Sequence, residues 1–436
     1  MKIVFITHYF PPLNSSGARR VNAFAKYFAM WGHTVTVITA RKSDRDGLLT
    51  EPVPEYLKLL EIDSFGQLSA SKLNDINGSI NDNSVKSRSA FGVFLLRIKR
   101  GVMRVAGQLI DHRIVFALQF LLPWLSKDVK ESLRNADVVI TSCPPWPAHL
   151  AGCIVKSKYK KPWVADYRDQ FSGNHILRGS FLSRPLEVFL DKWLIKSADH
   201  VLAISPPMQE YYLEFHSKVS CIENGYDSDV FKLALQSSDD VNDAKFSDEF
   251  LIRYLGTITS DRIPVAFLNS LVKINQLEGP KMFIEFYGES TLLRQKLPSV
   301  VPDAIPYVRY FKQLSYFESI KKMLSSDALF FIETSDFSSN SARGVLTTKL
   351  FEYLAAKKPV IAEINQKALA ASYIKKSGLG AVISENEVDI YNGLQMLREK
   401  LFTFNPNVKF IESLSREVKA ESLQDILVSM IDSGHP

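Results

Sequence analysis

MKIVFITHYFPPLNSSGARRVNAFAKYFAMWGHTVTVIT, residues 1–39, decides how the rest of the chain is read. KIVFIT is a short apolar, β-branched run that ends in a Pro- and Ser-rich loop, the pattern of a buried strand. From Ala18 onward, Val21, Phe24, Ala25 and Phe28 fall on one helical face, and Gly32 marks the stop. HTVTVIT is a second strand. Strand, helix and strand in this span form one βαβ unit, whose strands must lie parallel.

The same pattern recurs along the chain. ADVVITS (136–142), KPWVADYRD (161–169), ADHVLAIS (198–205) and VSCIENG (219–225) alternate with helical stretches. A polar stretch, QSSDDVNDAKFSD (236–248), interrupts, and the pattern restarts with FLIRYLGT, MFIEFYGE, DALFFIET, KPVIAEI and GAVIS. Alternating βα units predict an α/β fold with two doubly wound, Rossmann-like domains, each a parallel sheet covered on both faces. The expected divisions are 1–222, 223–412 and a last helix in 413–436 that returns to the first domain. The Ser/Asn-rich piece 64–89 reads as a long flexible insertion.

Bulk properties agree and exclude several classes. A chain of 436 residues is too long for one ordinary core. With 46% apolar and 23% charged residues it has a globular composition, and a net charge of +6 is too modest for a nucleic-acid footprint. Cys143, Cys153 and Cys221 make neither a metal set nor a disulfide framework, which favours a reducing compartment. The amino terminus breaks at His8 and reads as a strand rather than a leader peptide. VFALQFLLPWL (115–125) is too short to span a bilayer. The expectation is a cytoplasmic protein. Segment 91–125 mixes apolar residues with Arg97, Lys99, Arg100 and Arg104, which suits either a helix in an anionic membrane interface or a core helix whose arginines face water.

In open α/β sheets ligands sit beyond the carboxyl ends of the strands, so the residues after each strand are the candidates. After the first strand, Ser16 and Gly17 open a helix whose amino terminus suits a phosphate, with Arg19 and Arg20 beside them. Only one glycine is present there, against the three of a dinucleotide fingerprint. His149 follows the next strand, where it is either a structural residue or an acceptor contact. Asp166, Arg168 and Asp169 crowd another strand end, where charges must be paired or used. In the second half, Gly256 and Gly288 follow strands and allow a ligand close to the backbone, and Arg262 is a candidate diphosphate clamp. TTKLFEYLAAKKPVIAEI (347–364) sets Lys349 and Glu352 three residues apart on one helical face. Lys349 suits phosphate oxygens and Glu352 a ribose diol, while a surface ion pair is the plainer alternative. No P-loop, Gly-x-Ser-x-Gly or metal-spaced His/Cys cluster is present.

Taken in order, HYFPPLNSSGARR, CPPWPAHL, PWVADYRD, ADHVLAIS, IENGYD, YLGT and KLFEYLAAKKPVI resemble the GT-B glycosyltransferases of family 4, particularly bacterial enzymes of surface-polysaccharide synthesis. The resemblance implies two domains facing a central cleft, with a nucleotide-sugar donor in the second and a glycan or lipid-linked acceptor in the first. It places Thr348, Lys349, Glu352, Arg262, Gly256, Gly288, Ser16 and Gly17 at the donor. Arg168, Asp169 and Asp166 fall near the reaction, and His149 and Arg20 toward the acceptor. Transfer with retention is implied, without a protein nucleophile, cofactor or metal, on the cytoplasmic face of a membrane. Two departures stand out. Gly344 occupies the place of the family's first motif glutamate, eight residues before Glu352, and Arg168 stands where many relatives carry histidine. A GT-B-like epimerase or hydrolase, or a non-catalytic sugar-nucleotide-binding subunit, is the alternative reading.

Overall fold

The structure is a computed structural model that describes residues 1–43, 46–62, 114–122, 125–174, 183–237, 249–260, 262–333 and 340–432. The expected insertion 64–89 and most of the basic segment 91–125 lie outside the described residues. The chain divides into two units, one formed by Met1–Ile222, Ser339–Ser341 and Ala420–Pro436, the other by Glu223–Ser338 and Ala342–Lys419.

The first unit holds a seven-stranded sheet. Its strands are β1 (Lys2–Thr7), β2 (Thr34–Ala40), β3 (Lys58–Ile62), β4 (Val138–Cys143), β5 (Trp163–Tyr167), β6 (His200–Ala203) and β7 (Val219–Cys221). The order is β3-β2-β1-β4-β5-β6-β7, and the pairings are parallel throughout. The second unit holds β8 (Glu249–Leu255), β9 (Lys281–Tyr287), β10 (Val308–Phe311), β11 (Ala328–Ile332), β12 (Val360–Glu363) and β13 (Gly380–Ile383). Their order is β10-β9-β8-β11-β12-β13, again parallel. Strand order reverses between β1 and β4 in one sheet and between β8 and β11 in the other. Those are the switch points where open α/β sheets place ligands.

Central strands are apolar on both faces because helices cover both sides. In β4 and β5 every residue is buried. Two strands absent from the sequence reading, β3 and β10, are sheet edges. KLLEI and VRYF carry charges and are only partly buried, so neither shows the continuous apolar run of an inner strand.

Helix starts follow local chemistry. Ser15 caps the helix Ser16–Met30 by accepting the Ala18 N–H at 3.2 Å. Ser315 and Glu318 form a reciprocal capping box at Tyr316–Leu324. In the last helix, Arg416–Asp432, residues Ala420, Leu423, Leu427 and Met430 pack with Ile3, Phe5, Val21 and Phe24 in the first unit's core. Their 3-4-3 spacing is the stripe that a core-facing helix requires.

Candidate functional site

In the first unit, the charges at the β5 end separate into two kinds. Asp166 is 1% exposed and accepts from Arg20 Nε at 3.1 Å, Arg20 Nη2 at 2.8 Å and Ser142 Oγ at 2.9 Å. Arg20 also donates to the Ile222 carbonyl at 2.9 Å. This two-pronged ion pair joins the first helix to β4, β5 and the chain after β7. Asp166, expected in catalysis, and Arg20, expected at the acceptor, are thus engaged with each other in the core of the first unit. A buried carboxylate whose oxygens are held by a guanidinium and a hydroxyl has no surface left for substrate.

His149, expected toward the acceptor, is likewise engaged within the core. It is fully buried, its Nδ1 lies 2.7 Å from Thr141 Oγ1, and its ring sits 4.2 Å from that of Tyr167. Trp163 Nε1 donates to the same hydroxyl at 2.8 Å, which leaves the Thr141 O–H to donate a hydrogen bond to Nδ1. Burial drives the His149 pKa down to about 3, which makes it a neutral core residue.

Arg168 and Asp169 differ. The Arg168 guanidinium lies against Gly17 so closely that a β-carbon there would fall 1.7 Å from Nη1. It also donates to the Pro144 carbonyl, and Cζ stands 5.5 Å from the Tyr9 ring centre. A side chain at Gly17 would have to displace the Arg168 guanidinium, and Ser16, next to it, is exposed. Asp169 keeps one side open to solvent, and crowding on the other pushes its pKa up to about 6 against the opposing pull of Arg168. A guanidinium and an open carboxylate thus lie at the carboxyl end of β5.

In the second unit the glycines and the Lys349 segment converge. Gly256 has φ of +141° and donates its N–H to the Tyr287 carbonyl at 2.8 Å. Gly288 has φ of +123°, and a β-carbon there would meet the Gly256 carbonyl oxygen at 2.8 Å. Only glycine satisfies both conditions. The space that a Gly256 side chain would take is filled by Lys349, whose Cε and Nζ lie 2.9 Å from it. The same ammonium sits 3.8 Å from the Tyr254 ring centre, a cation–π contact. Desolvation lowers the Lys349 pKa to about 8, with Glu333 and Glu352 opposing and Arg262 reinforcing the drop.

The helix Thr348–Ala355 carries Lys349 and Glu352 and is pinned to β8, because Leu255 N–H donates to Tyr353 Oη at 2.8 Å. Thr348 and Glu352 are both buried. Glu352 faces Lys349 and also Arg416, a buried guanidinium that stands 6.0 Å from the Tyr316 ring centre. The simple surface ion pair is excluded by this burial. Arg262 Nη2 lies 2.7 Å from Glu333 Oε2, and Thr347 Oγ1 donates to Glu333 Oε1 at 2.9 Å. Glu363 at the end of β12 accepts the Phe267 N–H at 2.9 Å and so caps Val265–Asn275, the helix that follows the Arg262 loop. Sequence reasoning missed Glu333, Thr347, Tyr254 and Arg416. Glu333 carries the signal that had picked out Asp166, a charge placed directly after a buried strand.

Among the described residues no group of His, Cys, Asp or Glu is arranged to hold a metal, and no helix is long and apolar enough to cross a membrane. An open pocket of ≈ 670 Å³ is lined by Leu121, Lys130, Arg134, Lys158, Tyr159 and Lys161. It lies where Lys127–Asn135 and Pro147–Tyr159 end, toward the amino ends of the strands. Basic residues are favoured beside helix carboxyl termini, which accounts for much of its charge.

Two parallel sheets, each with a switch point in its strand order, and a buried lysine and glutamate on one helix of the second define a two-unit α/β architecture. Residues 16–225 match the family model for a glycosyl transferase 4-like domain. That match lies within the first unit apart from its last three residues, and it marks this stretch as similar to a glycosyl transferase 4-like domain. Comparison with curated protein sequences gives no significant match. Among solved structures, sucrose-phosphate synthase from Thermosynechococcus elongatus superposes with a TM-score of 0.62 at 12% identity, covering 100% of both chains. Anabaena HepE in complex with UDP and glucose gives a TM-score of 0.61 at 13% identity, covering 98% of this chain and 100% of that one. WaaB, a lipopolysaccharide outer core galactosyltransferase, gives 0.57 at 12% identity, covering 99% and 100%. At these identities the likeness is one of fold.

Proposed function

We propose that the protein transfers a sugar from a nucleotide-diphosphate sugar to a hydroxyl of a glycan or lipid-linked acceptor, with retention, in bacterial surface-polysaccharide synthesis. The observation that carries this reading is the Lys349 ammonium lodged against Gly256 at the carboxyl end of β8, beside the switch point with β11. A cation there meets the diphosphate, and Glu352, one helical turn further on, accepts from the ribose hydroxyls. Arg262 adds a second positive charge. HepE, whose fold is similar, was solved with UDP and with UDP-glucose, which makes UDP the first nucleotide to try.

In the proposed reaction the acceptor oxygen bonds to the anomeric carbon as the bond to the diphosphate breaks. The acceptor's proton passes to the departing phosphate oxygen, so no protein nucleophile or base is consumed. Lys349 and Arg262 stabilise charge that grows on the leaving group, the kind of preorganised electrostatics that contributes most when water is excluded. In the first unit, Arg168 and Asp169 orient the acceptor. Segment 91–125 would hold the protein to the cytoplasmic face of an anionic membrane. WaaB is named for lipopolysaccharide synthesis, in keeping with such a setting.

The test is turnover of labelled UDP-sugars with lipid-linked acceptors, with and without EDTA. Label should move to the acceptor and survive EDTA, because cations of the chain neutralise the diphosphate. Release of free sugar alone, or formation of an isomer, would replace transfer with hydrolysis or epimerisation. Loss in EDTA with full rescue by Mg²⁺ or Mn²⁺ would overturn the cation assignment.

A further inference from the structure

Glu333 is 7% exposed and stands at the carboxyl end of β11, on the switch-point side of the sheet. One of its oxygens lies 2.7 Å from Arg262 and the other accepts from Thr347 at 2.9 Å. The carboxylate is therefore fixed at both ends, between the loop after β8 and the start of the helix that carries Lys349. Thr347 is the N-cap residue of that helix but makes no side-chain capping bond, since its hydroxyl is committed to Glu333. Two cations in a half-buried site repel each other and lose hydration. Without a counter-ion the lysine, which unlike arginine gives up its proton readily when buried, would be the one to neutralise.

We propose that Glu333 is a positioning residue of the donor site, holding Arg262 by an ion pair and balancing the charge of Lys349 without touching the donor. The inference rests on the donor reading above, and it assigns to β11 a carboxylate that no motif marks. Lys349 is faced by Glu333, Glu352, Arg262 and the Tyr254 ring, and Arg416 is a further cation interacting with Glu352. Of the two carboxylates beside Lys349, Glu352 also serves Arg416. Glu333 has the larger effect in keeping Lys349 charged, and the Lys349 pKa is about 8 with both present.

The test is Glu333→Gln, which keeps shape and removes charge, read by UDP affinity from pH 6 to pH 9. Wild type should bind well at pH 6 and lose affinity as pH rises past about 8. In the variant the fall should begin about one pH unit lower, giving roughly fivefold weaker binding near pH 8 and little change at pH 6. Glu333→Asp, which keeps the charge but draws it back, should restore most of the wild-type profile. If the glutamine variant does not fold, Glu333→Ala, which removes the charge and leaves room for water, supplies the same readout. Superimposable profiles for wild type and the charge-free variant would overturn the role of Glu333 and leave the donor reading standing. Failure of wild type to bind UDP, GDP or any nucleotide diphosphate at every pH would overturn both.

Discussion

Replacing Asp166 by Asn separates a structural charge from a catalytic one. The carboxylate is 1% exposed and accepts three hydrogen bonds, two of them from Arg20. Asn keeps the shape but turns an NH₂ toward a donor and leaves the Arg20 guanidinium buried without its counter-charge. Breaking a buried pair from one side costs about 3–5 kcal/mol. For a unit of this size each kcal/mol moves the melting temperature by about 2–4 °C, so the first unit should melt roughly 6–20 °C lower. The cost lies mostly in the orphaned charge, so the double change Arg20→Met with Asp166→Leu should be milder than Asp166→Asn alone. Calorimetry of wild type and the two variants measures this, and transfer assayed well below melting should stay within a few-fold of wild type. A variant that melts like wild type yet has lost activity would refute the structural assignment and return Asp166 to the reaction.

Glu352→Gln should weaken donor binding about ten- to hundredfold, the loss of one charge-assisted hydrogen bond of roughly 1.5–3 kcal/mol, with the fold intact. A collapse in melting with unchanged affinity in the folded fraction would count against the ribose role. His149 is neutral when folded, with a pKa near 3, and takes up a proton when unfolded, below about 6.5. Its contribution to stability is therefore complete above pH 6.5 and declines as pH falls from there toward 3, by up to about 1.4 kcal/mol per pH unit. His149→Phe should show a shallower acid loss of stability over that window, and parallel curves would contradict the buried neutral state. Replacing Arg97, Lys99, Arg100 and Arg104 by Gln should release the protein from anionic liposomes without unfolding it, since each basic contact contributes about 1 kcal/mol. Equal sedimentation of variant and wild type would mean that these residues face only water.

The sequence by itself determined the alternation of buried strands and amphipathic helices, because a 2- or 3.6-residue period follows from backbone geometry and needs no distant partner. It also determined that Gly256, Gly288, Lys349 and Glu352 lie after strands, which is where ligands of such sheets bind. Strand order, and with it the switch points, was decided only by tertiary structure, since parallel neighbours are distant in sequence: β1 lies beside β4 and β8 beside β11. The edge strands β3 and β10 became strands through pairing, their own patterns being too mixed to declare it. The fate of each charge was equally non-local. ADYRD reads as three equivalent groups, yet Arg20, 146 residues from Asp166 in the chain, takes that carboxylate into the core, while Asp169, three residues further along, stays open to solvent. Glu333 shows the converse. Its place directly after a buried strand marks it only as a charge to be paired or used, and its meaning comes from Arg262 and Thr347, which only the folded sheet brings to its two oxygens.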